Sequence, residues 1–351
     1  MESYTVIGLM SGTSLDGLDI VHATFVFENE KWNYAINHAR TIDYNDGLRK
    51  LLGGAHELSG SDLIELDELY GRYLGREVNF FIKELKLTCD FISSHGHTVY
   101  HDPQNLKTLQ IGSGVQIANI TGTPVINDFR TANVQQGGQG APLVPIGDML
   151  LFHQYRHCLN LGGIANISSK LDGNIQAYDI GICNIAFNHF ASLMDKTYDE
   201  KGLIGQGGKF DRELLDSLNS PVYFHASPPK SLDASFFKEV MIPLIERSEL
   251  PIPDQSRTFY EHLTCQISAC VSDGHEVLVS GGGVHNDFLM ALLKQTGLKL
   301  HVPSSLLVDF KEALIFAFMG VLRHRNEINC LKSVTGAPED MSTGVCYGFD
   351  S

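Results

Sequence analysis

The sequence predicts an α/β protein. Strand-like and helix-like segments alternate from one end to the other, the pattern of helices packed on largely parallel sheets. The chain has 351 residues, enough for two cores, because single hydrophobic cores seldom grow past roughly 250–300 residues. A strand, glycine turn and strand near the N-terminus return in the middle of the chain without any repeat of sequence. A duplicated fold would leave that trace.

Residues 4–10 form an apolar strand that runs into a turn of small residues, and strands over 18–27 and 33–40 follow it. A long amphipathic helix comes next, with Leu63, Leu66, Tyr70, Leu74, Val78 and Phe81 on one stripe and Asp62 as its N-cap. Short buried-type strands recur at 90–93, 109–111 and 125–126. A glycine–glutamine loop occupies 135–140, and 157–168 reads as a strand, a Gly-Gly bend and a strand. Residues 176–184 give a further strand ending in a small-residue turn, and coil over 220–233 leads to a helical stretch. An apolar strand at 277–280 then meets Gly281-Gly282-Gly283, which opens a helix at about 286; the last helix covers 309–325. Without a long linker or low-complexity segment, any domain boundary is a crossing of the chain and not a tether.

Composition narrows the function. The chain is 43% hydrophobic and 19% charged, with a net charge of −15. That balance argues against nucleic-acid and anionic-membrane partners, which need a basic surface. An anionic ligand must then be received by local dipoles and a cation. A basic n-region before an apolar stretch is missing, no apolar run approaches a membrane span, and the seven dispersed cysteines include no C-x-x-C pair. Reduced thiols and a cytoplasmic location fit this usage.

Four features carry chemistry. In Gly8 to Asp19 (GLMSGTSLDGLD), Gly12 and Gly17 let backbone approach a ligand, and Thr13 and Ser14 bring hydroxyls. Leu15 and Leu18 frame the turn, while Asp16 and Asp19 are suited to a hydrated metal ion beside a phosphate. The alternative is a decorated hairpin turn; a P-loop is excluded, since no Lys follows a closing Gly. Gly162-Gly163 and Gly281–Gly283 are further backbone surfaces after strands, or else tight turns only. Asp179, at the end of a strand over 175–178, is placed to polarise water or to close an Asx turn, and Glu312 to meet a ligand or favour a helix N-terminus. His95-Gly96-His97 with His101 lacks the carboxylates of a zinc site, so hydrogen bonding is expected there; Arg130 either pairs with Asp128 or clamps a carboxylate.

Read together, these strings resemble the anhydro-N-acetylmuramic acid kinase family of the actin, Hsp70 and sugar-kinase superfamily. The resemblance rests on GLMSGTSLDGLD and, in order, SHGHTV (94–99), NDFR (127–130), GGQGAPLVP (137–145) and NLGGIAN (160–166). It continues through PPKS (228–231), SGGG (280–283), KEA (311–313) and VTGA (334–337). It implies two actin-like (ribonuclease H-like) domains with an interdomain cleft: 1–128 plus about 328–351, and 129–327. It further implies ATP and Mg²⁺, with Gly12 to Asp19, Gly162, Gly163 and Gly281–Gly283 on the nucleotide. Asp179 matches the catalytic residue, and Glu312, Arg130, His95 and His97 match sugar-facing positions.

The implied reaction opens an anhydro amino sugar hydrolytically and phosphorylates its O6, a step of peptidoglycan recycling; a homodimer is left open. The chain departs from the family's D-T-G-P-G-N with Ile180, Ile182 and Cys183, from S-H-G-Q with His97, and from Thr-Gly after PPKS with Leu232-Asp233. Those departures keep two rivals in view, a conventional sugar kinase and a non-catalytic sensor.

Overall fold

The computed structural model describes residues 1–349 except 13, 14, 172, 229 and 272. The chain divides into two compact units, residues 1–152 with 310–351, and residues 153–309. Each unit is built on its own sheet.

In the first unit, β1 (Glu2–Ser11), β2 (Gly17–Glu28) and β3 (Lys31–Asp43) form an antiparallel meander. Parallel to β1 runs β4 (Phe91–Asp102), which pairs with β5 (Lys107–Ile111) and β6 (Val125–Asn127). In the second unit β7 (His157–Leu161), β8 (Ile164–Leu171) and β9 (Asn174–Ile182) form another antiparallel meander. There β10 (Glu276–Ser280) lies parallel to β7, and β11 (Lys299–His301) parallel to β10. A terminal β12 (Val345–Tyr347) adds to β6. The orders β3-β2-β1-β4-β6 and β9-β8-β7-β10-β11 are the same topology twice. The duplication inferred from the two glycine turns is therefore present in the strand pairing.

Ile7 and Leu9 of β1 face helix Gly60–Leu85, where Tyr70, Leu74, Val78 and Phe81 are buried with them. The expected stripe is thus the core stripe. Its cap is corrected: Ser59, not Asp62, is the N-cap, accepting from the Asp62 N–H at 3.4 Å and donating to the Asp62 carboxylate at 2.7 Å. The Asp62 side chain thus steadies the Ser59 hydroxyl that caps the helix.

Helix Ser305–His324 covers the opposite face, and its run is interrupted at Phe310 (φ −113°, ψ 15°). A side chain at Gly8 would lie 2.3 Å from the Ala313 carbonyl oxygen, and one at Gly320 would lie 2.6 Å from Ser93 Oγ. Ser93 Oγ donates to the Phe316 carbonyl at 2.5 Å. The chain crosses between units at 152/153 and 309/310, where the sequence placed the crossings at 128/129 and 327/328; the packing of the helix on β1 accounts for the second, since it draws the chain from Phe310 onward into the first unit. The second unit's core gathers Leu159, Ile167, Ile180, Phe187, Phe259 and Leu263 between β7–β10 and their helices. Among the described residues no helix is long and apolar enough to cross a membrane, and the cysteines are free thiols.

Gly8→Ala puts a methyl group against backbone that cannot rotate away. The expected cost is about 1–3 kcal/mol in denaturant unfolding, with the far-ultraviolet spectrum unchanged; an unchanged midpoint would mean that the helix can lift off β1.

Candidate active site

In the first unit, Leu15 (φ 59°) closes a turn on the Gly12 carbonyl at 3.3 Å, and its side chain packs against the core. Leu18 is 1% exposed and belongs to that core, so only its backbone is available to a ligand. Arg49 donates to the Leu15 carbonyl at 3.2 Å, and the Tyr44 N–H to the Asp16 carbonyl at 3.4 Å, so the turn is held from behind. Asp16 is exposed, and half-buried Asp19 accepts from Thr41 Oγ1 at 2.6 Å. Thr13 and Ser14 lie outside the described residues.

The two histidines of the H-x-H string do not share a face. Between Leu9↔Ser94 and Ser11↔His97 the register gains a residue on β4, where Gly96 has φ +74°. This bulge reverses the alternation of side chains. His95 stacks on Phe316, ring centres 4.4 Å apart, whereas His97 turns to Tyr70. A side chain at Gly96 would meet the Ile111 carbonyl oxygen at 2.5 Å, which fixes glycine at the bulge. Among the described residues no cluster of three His, Cys, Asp or Glu could hold a metal.

His97 closes a buried chain of hydrogen bonds. Tyr44 OH donates to Ser11 Oγ at 2.8 Å and shares a 2.6 Å bond with Tyr70 OH; Ser11 Oγ is 3.3 Å from His97 Nδ1. Since Ser11 receives the Tyr44 proton it gives its own to Nδ1, which leaves the His97 N–H for the Leu52 backbone. Burial holds His97 below the ordinary histidine value, with the Leu52 contact opposing. A glutamine amide offers one donor and one acceptor too, so the departure from S-H-G-Q keeps the bonding capacity of the position.

Around His95 a second group forms. Arg130 Nε and Nη2 point at His95 Nε2 at 3.1 and 2.9 Å, and Nη1 donates to the Gly140 carbonyl at 2.6 Å. His95 Nε2 must therefore accept, and Nδ1–H donates to the Gly96 carbonyl at 2.9 Å. Burial first, and the Arg130 charge second, hold His95 well below the ordinary value, so it is neutral. Burial draws Arg130 down to about 10, with Glu312 and Cys330 opposing. Two of the five guanidinium N–H donors remain for a ligand.

Glu312 stands two residues past the interruption at Phe310 and is open to solvent. The protein crowded around it still raises its carboxyl, ahead of the opposing pulls of Lys311 and Arg130 and the smaller pushes of Asp19 and Asp148. A carboxylate that solvent reaches and protein surrounds lies in a recess. Lys311 next to it is buried against Asp148 at 2.7 Å, its ammonium over the Phe152 ring at 5.4 Å. Glu312, Arg130, His95 and Asp19 thus share one neighbourhood, and His97 lies on the other face of the sheet.

In the second unit three turns converge. The Cys183 and Asn184 N–H groups donate to the Gly163 and Gly162 carbonyls at 2.9 and 3.2 Å, and Asn184 Nδ2 donates to the Leu161 carbonyl at 3.1 Å. Gly281 (φ +84°) and Gly283 press on Leu161; a side chain at Gly283 would meet the Leu161 carbonyl oxygen at 2.9 Å. Beside Gly282 opens a groove of about 230 Å³ lined by Asn184, Asn188, Tyr198, Lys201 and His285. Tyr260 OH, which donates to Asp199 at 3.0 Å and accepts from Asn286 at 2.6 Å, braces its floor. Apart from Asn184, which closes the string matched to D-T-G-P-G-N, these lining side chains belong to no local motif, and only the fold reveals them. The departures Ile180, Ile182 and Cys183 are buried in the core, and burial pushes the Cys183 thiol up to about 12.

Asp179 is corrected from a strand end to a strand interior. The β8–β9 register passes from Ala165↔Gly181 to Asn166↔Asp179, a bulge at Ile180. Asp179 Oδ2 accepts the Leu232 N–H at 2.8 Å. Burial raises its carboxyl and the Leu232 amide opposes.

A family model described as anhydro-N-acetylmuramic acid kinase matches residues 4–348. Three relatives bear the name anhydro-N-acetylmuramic acid kinase. Those of Zymomonas mobilis and Crocosphaera subtropica are 33% and 32% identical, over 96% and 95% of this chain and 98% and 96% of their own. That of Mannheimia succiniciproducens is 32% identical over 99% of both chains.

A depressed histidine pKa carries a sign. Unfolded histidine takes up its proton near 6.5 while folded His95 stays neutral, so its contribution is present above that pH and is lost as pH falls below it, by up to about 1.4 kcal/mol per unit. The urea midpoint of His95→Gln should therefore fall less between pH 7 and 5.5 than that of the parent protein. Equal slopes would mean that His95 is protonated in the folded state.

Proposed function

The chain belongs to the anhydro-N-acetylmuramic acid kinase family, and from that membership we propose which of its residues carry the reaction. The activity is the family's: ATP-dependent opening of 1,6-anhydro-N-acetylmuramic acid with phosphorylation at O6, giving N-acetylmuramic acid 6-phosphate in peptidoglycan recycling. We take the two units as actin-like domains that receive nucleotide and sugar in the cleft between them, in the cytoplasm, whether the chain acts alone or as a homodimer. The twice-used strand order supports the first part of that reading.

Gly12 to Asp19, with Thr13 and Ser14, and Gly162-Gly163 are assigned to the phosphates, and Gly281–Gly283 to adenosine. Supporting this, backbone crowds backbone at Gly281 and Gly283, and the adjoining groove is lined by amide and aromatic side chains. Mg²⁺, brought with ATP, supplies charge neutralisation at the phosphates, and Asp16 and Asp19 are the residues to hold its hydration shell.

O6 of the anhydro sugar is tied to C1, so no hydroxyl is free to be phosphorylated until the bridge opens. Asp179 takes one proton from a water as that water's oxygen bonds to C1. The C1–O6 bond breaks, O6 attacks the γ-phosphorus, and ADP leaves. The observation that carries this assignment is the Asp179 carboxylate itself. It is half-buried, and burial raises it above the ordinary carboxylate value; the Leu232 amide engages Oδ2, and among the described residues Oδ1 has no hydrogen-bond partner. Glu312, Arg130 and His95 are assigned to the sugar, the two remaining Arg130 donors meeting its lactyl carboxylate.

Asp179→Asn keeps the shape and removes the base, so kcat should fall by about 10²–10⁴ with both substrates still bound. In ¹⁸O-water the parent enzyme should place the heavy oxygen on C1 in early samples, above an unlabelled-product exchange control. An inert anhydro sugar beside a phosphorylated open sugar would favour the conventional kinase, and no turnover of any sugar the sensor. Glu312→Gln and Arg130→Ala should weaken sugar binding in calorimetry and leave ATP affinity nearly intact. Equal loss of both ligands would return these residues to structural roles.

A further inference from the structure

Asp179 is gripped at three atoms by one short stretch of chain, through Tyr223, Lys230 and Leu232. Its backbone N–H donates to the Lys230 carbonyl at 3.2 Å, and its backbone carbonyl accepts from Tyr223 OH at 2.6 Å. Its carboxylate Oδ2 accepts the Leu232 N–H at 2.8 Å. The segment is tied to itself as well: Lys230 Nζ donates to the Tyr223 carbonyl at 3.1 Å and sits over the Tyr223 ring at 4.8 Å. Tyr223 packs on Phe224 and Phe236, ring centres 5.6 and 5.4 Å away, and Leu232 packs on the second unit's core.

We propose that Tyr223 is a positioning residue for Asp179, and that the grip it completes reserves Oδ2 for the Leu232 amide so that Oδ1 alone receives the proton from water. This rests on Asp179 being the base. The argument is geometric. Asp179 lies beside a bulge, where the strand ladder no longer fixes the direction of its side chain. A carboxylate there is free to rotate about its own bonds unless something outside the sheet holds it. The Leu232 amide does so only while the segment stays on β9. Among the described residues the Tyr223 hydroxyl is the one side-chain bond from the segment to the Asp179 backbone. It also explains why the departure from Thr to Leu232 is tolerated, since the contribution to Asp179 at this position is a backbone N–H, which any residue but proline supplies.

The titratable groups facing this site are Tyr223 and Lys230 of the segment, Tyr178 of β9, and Cys270 at the end of helix Ile252–Cys270. Burial is the leading cause of the shift in each, upward for the tyrosines and the thiol and downward for Lys230. The carboxylate is thus the group whose ionisation the acid limb of the rate profile should report.

Tyr223→Phe removes one oxygen atom and keeps the ring under Lys230. We expect kcat to fall about 10- to 100-fold, KM for ATP to stay within about twofold, and the acid limb of kcat to move to higher pH as the carboxylate loses its amide donor. A merely structural tyrosine would lower the melting temperature and leave the limb in place. Leu232→Pro, which deletes the amide hydrogen, should move the limb the same way, and Leu232→Ala, which keeps it, should not. A limb unmoved in both Tyr223→Phe and Leu232→Pro overturns the proposal. If Asp179→Asn retains full kcat, the base assignment itself falls, a result separate from either of these.

Discussion

The close approach of helix Ser305–His324 to β1 is the constraint on which the first unit's chemistry depends. The helix reaches the sheet because Gly8 and Gly320 present no side chain, leaving backbone against backbone at the Ala313 carbonyl. At that depth Lys311 cannot reach water and must be neutralised, which the Asp148 carboxylate does at 2.7 Å. Removing either partner would leave a buried charge alone, typically a loss of about 3–5 kcal/mol. Glu312 follows in the chain, and its place in a recess beside Arg130 is a consequence of where its neighbour has to be. Phe316, one turn on, supplies the surface on which His95 stacks. One tight contact therefore orients four polar side chains.

Bulges do for the two sheets what a regular ladder cannot. In β4 the extra residue at Gly96 sends His95 and His97 to opposite faces, and in β9 the one at Ile180 sets the direction of Asp179. Both lie in strands that pair with a central partner, β1 or β8, near the ends where the glycine turns stand. An alternating strand would present each functional side chain to a core. The added residue releases it.

Much of this was legible in the sequence. The helix stripe through Tyr70 and Leu74 is buried as its spacing predicts, and the glycines at 162–163 and 281–283 meet around Leu161. The central turn's repetition of the first foretold a second sheet of the same order. What stayed illegible was whatever depends on register. The resemblance put His95 and His97 together on the sugar, and nothing local announces the bulge that parts them except a glycine, of which this chain has 34. The Ser59 cap was hidden by an acidic residue three positions later whose carboxylate bonds to the capping hydroxyl. The groove near Gly282 draws side chains from 184 to 286, and no linear pattern joins them. The departures at Ile180, Ile182 and Cys183 kept two rivals in view, yet their side chains are buried in the core, and the turn bonds through the backbone of Cys183 and Asn184.

The two carboxylates assigned to the reaction are both raised by the protein packed around them, but their surroundings divide the labour between them. Glu312 has the cations Lys311 and Arg130 pulling it back toward ionisation. A charged group so placed is suited to holding hydroxyls, since giving up its charge would forfeit the attraction of both cations. Asp179 has no such neighbour; the only opposing pull is one backbone amide. Protonating it relieves burial and costs a single hydrogen bond of modest worth, about 0.5–1.5 kcal/mol. A carboxylate whose neutral form is that accessible can accept a proton during turnover and release it afterwards. Different surroundings push two like groups toward different tasks, and here the difference comes from what packs on each: for one a helix whose cations pull on the carboxylate, for the other a segment that meets it with a backbone amide and turns its lysine onto the Tyr223 ring and carbonyl.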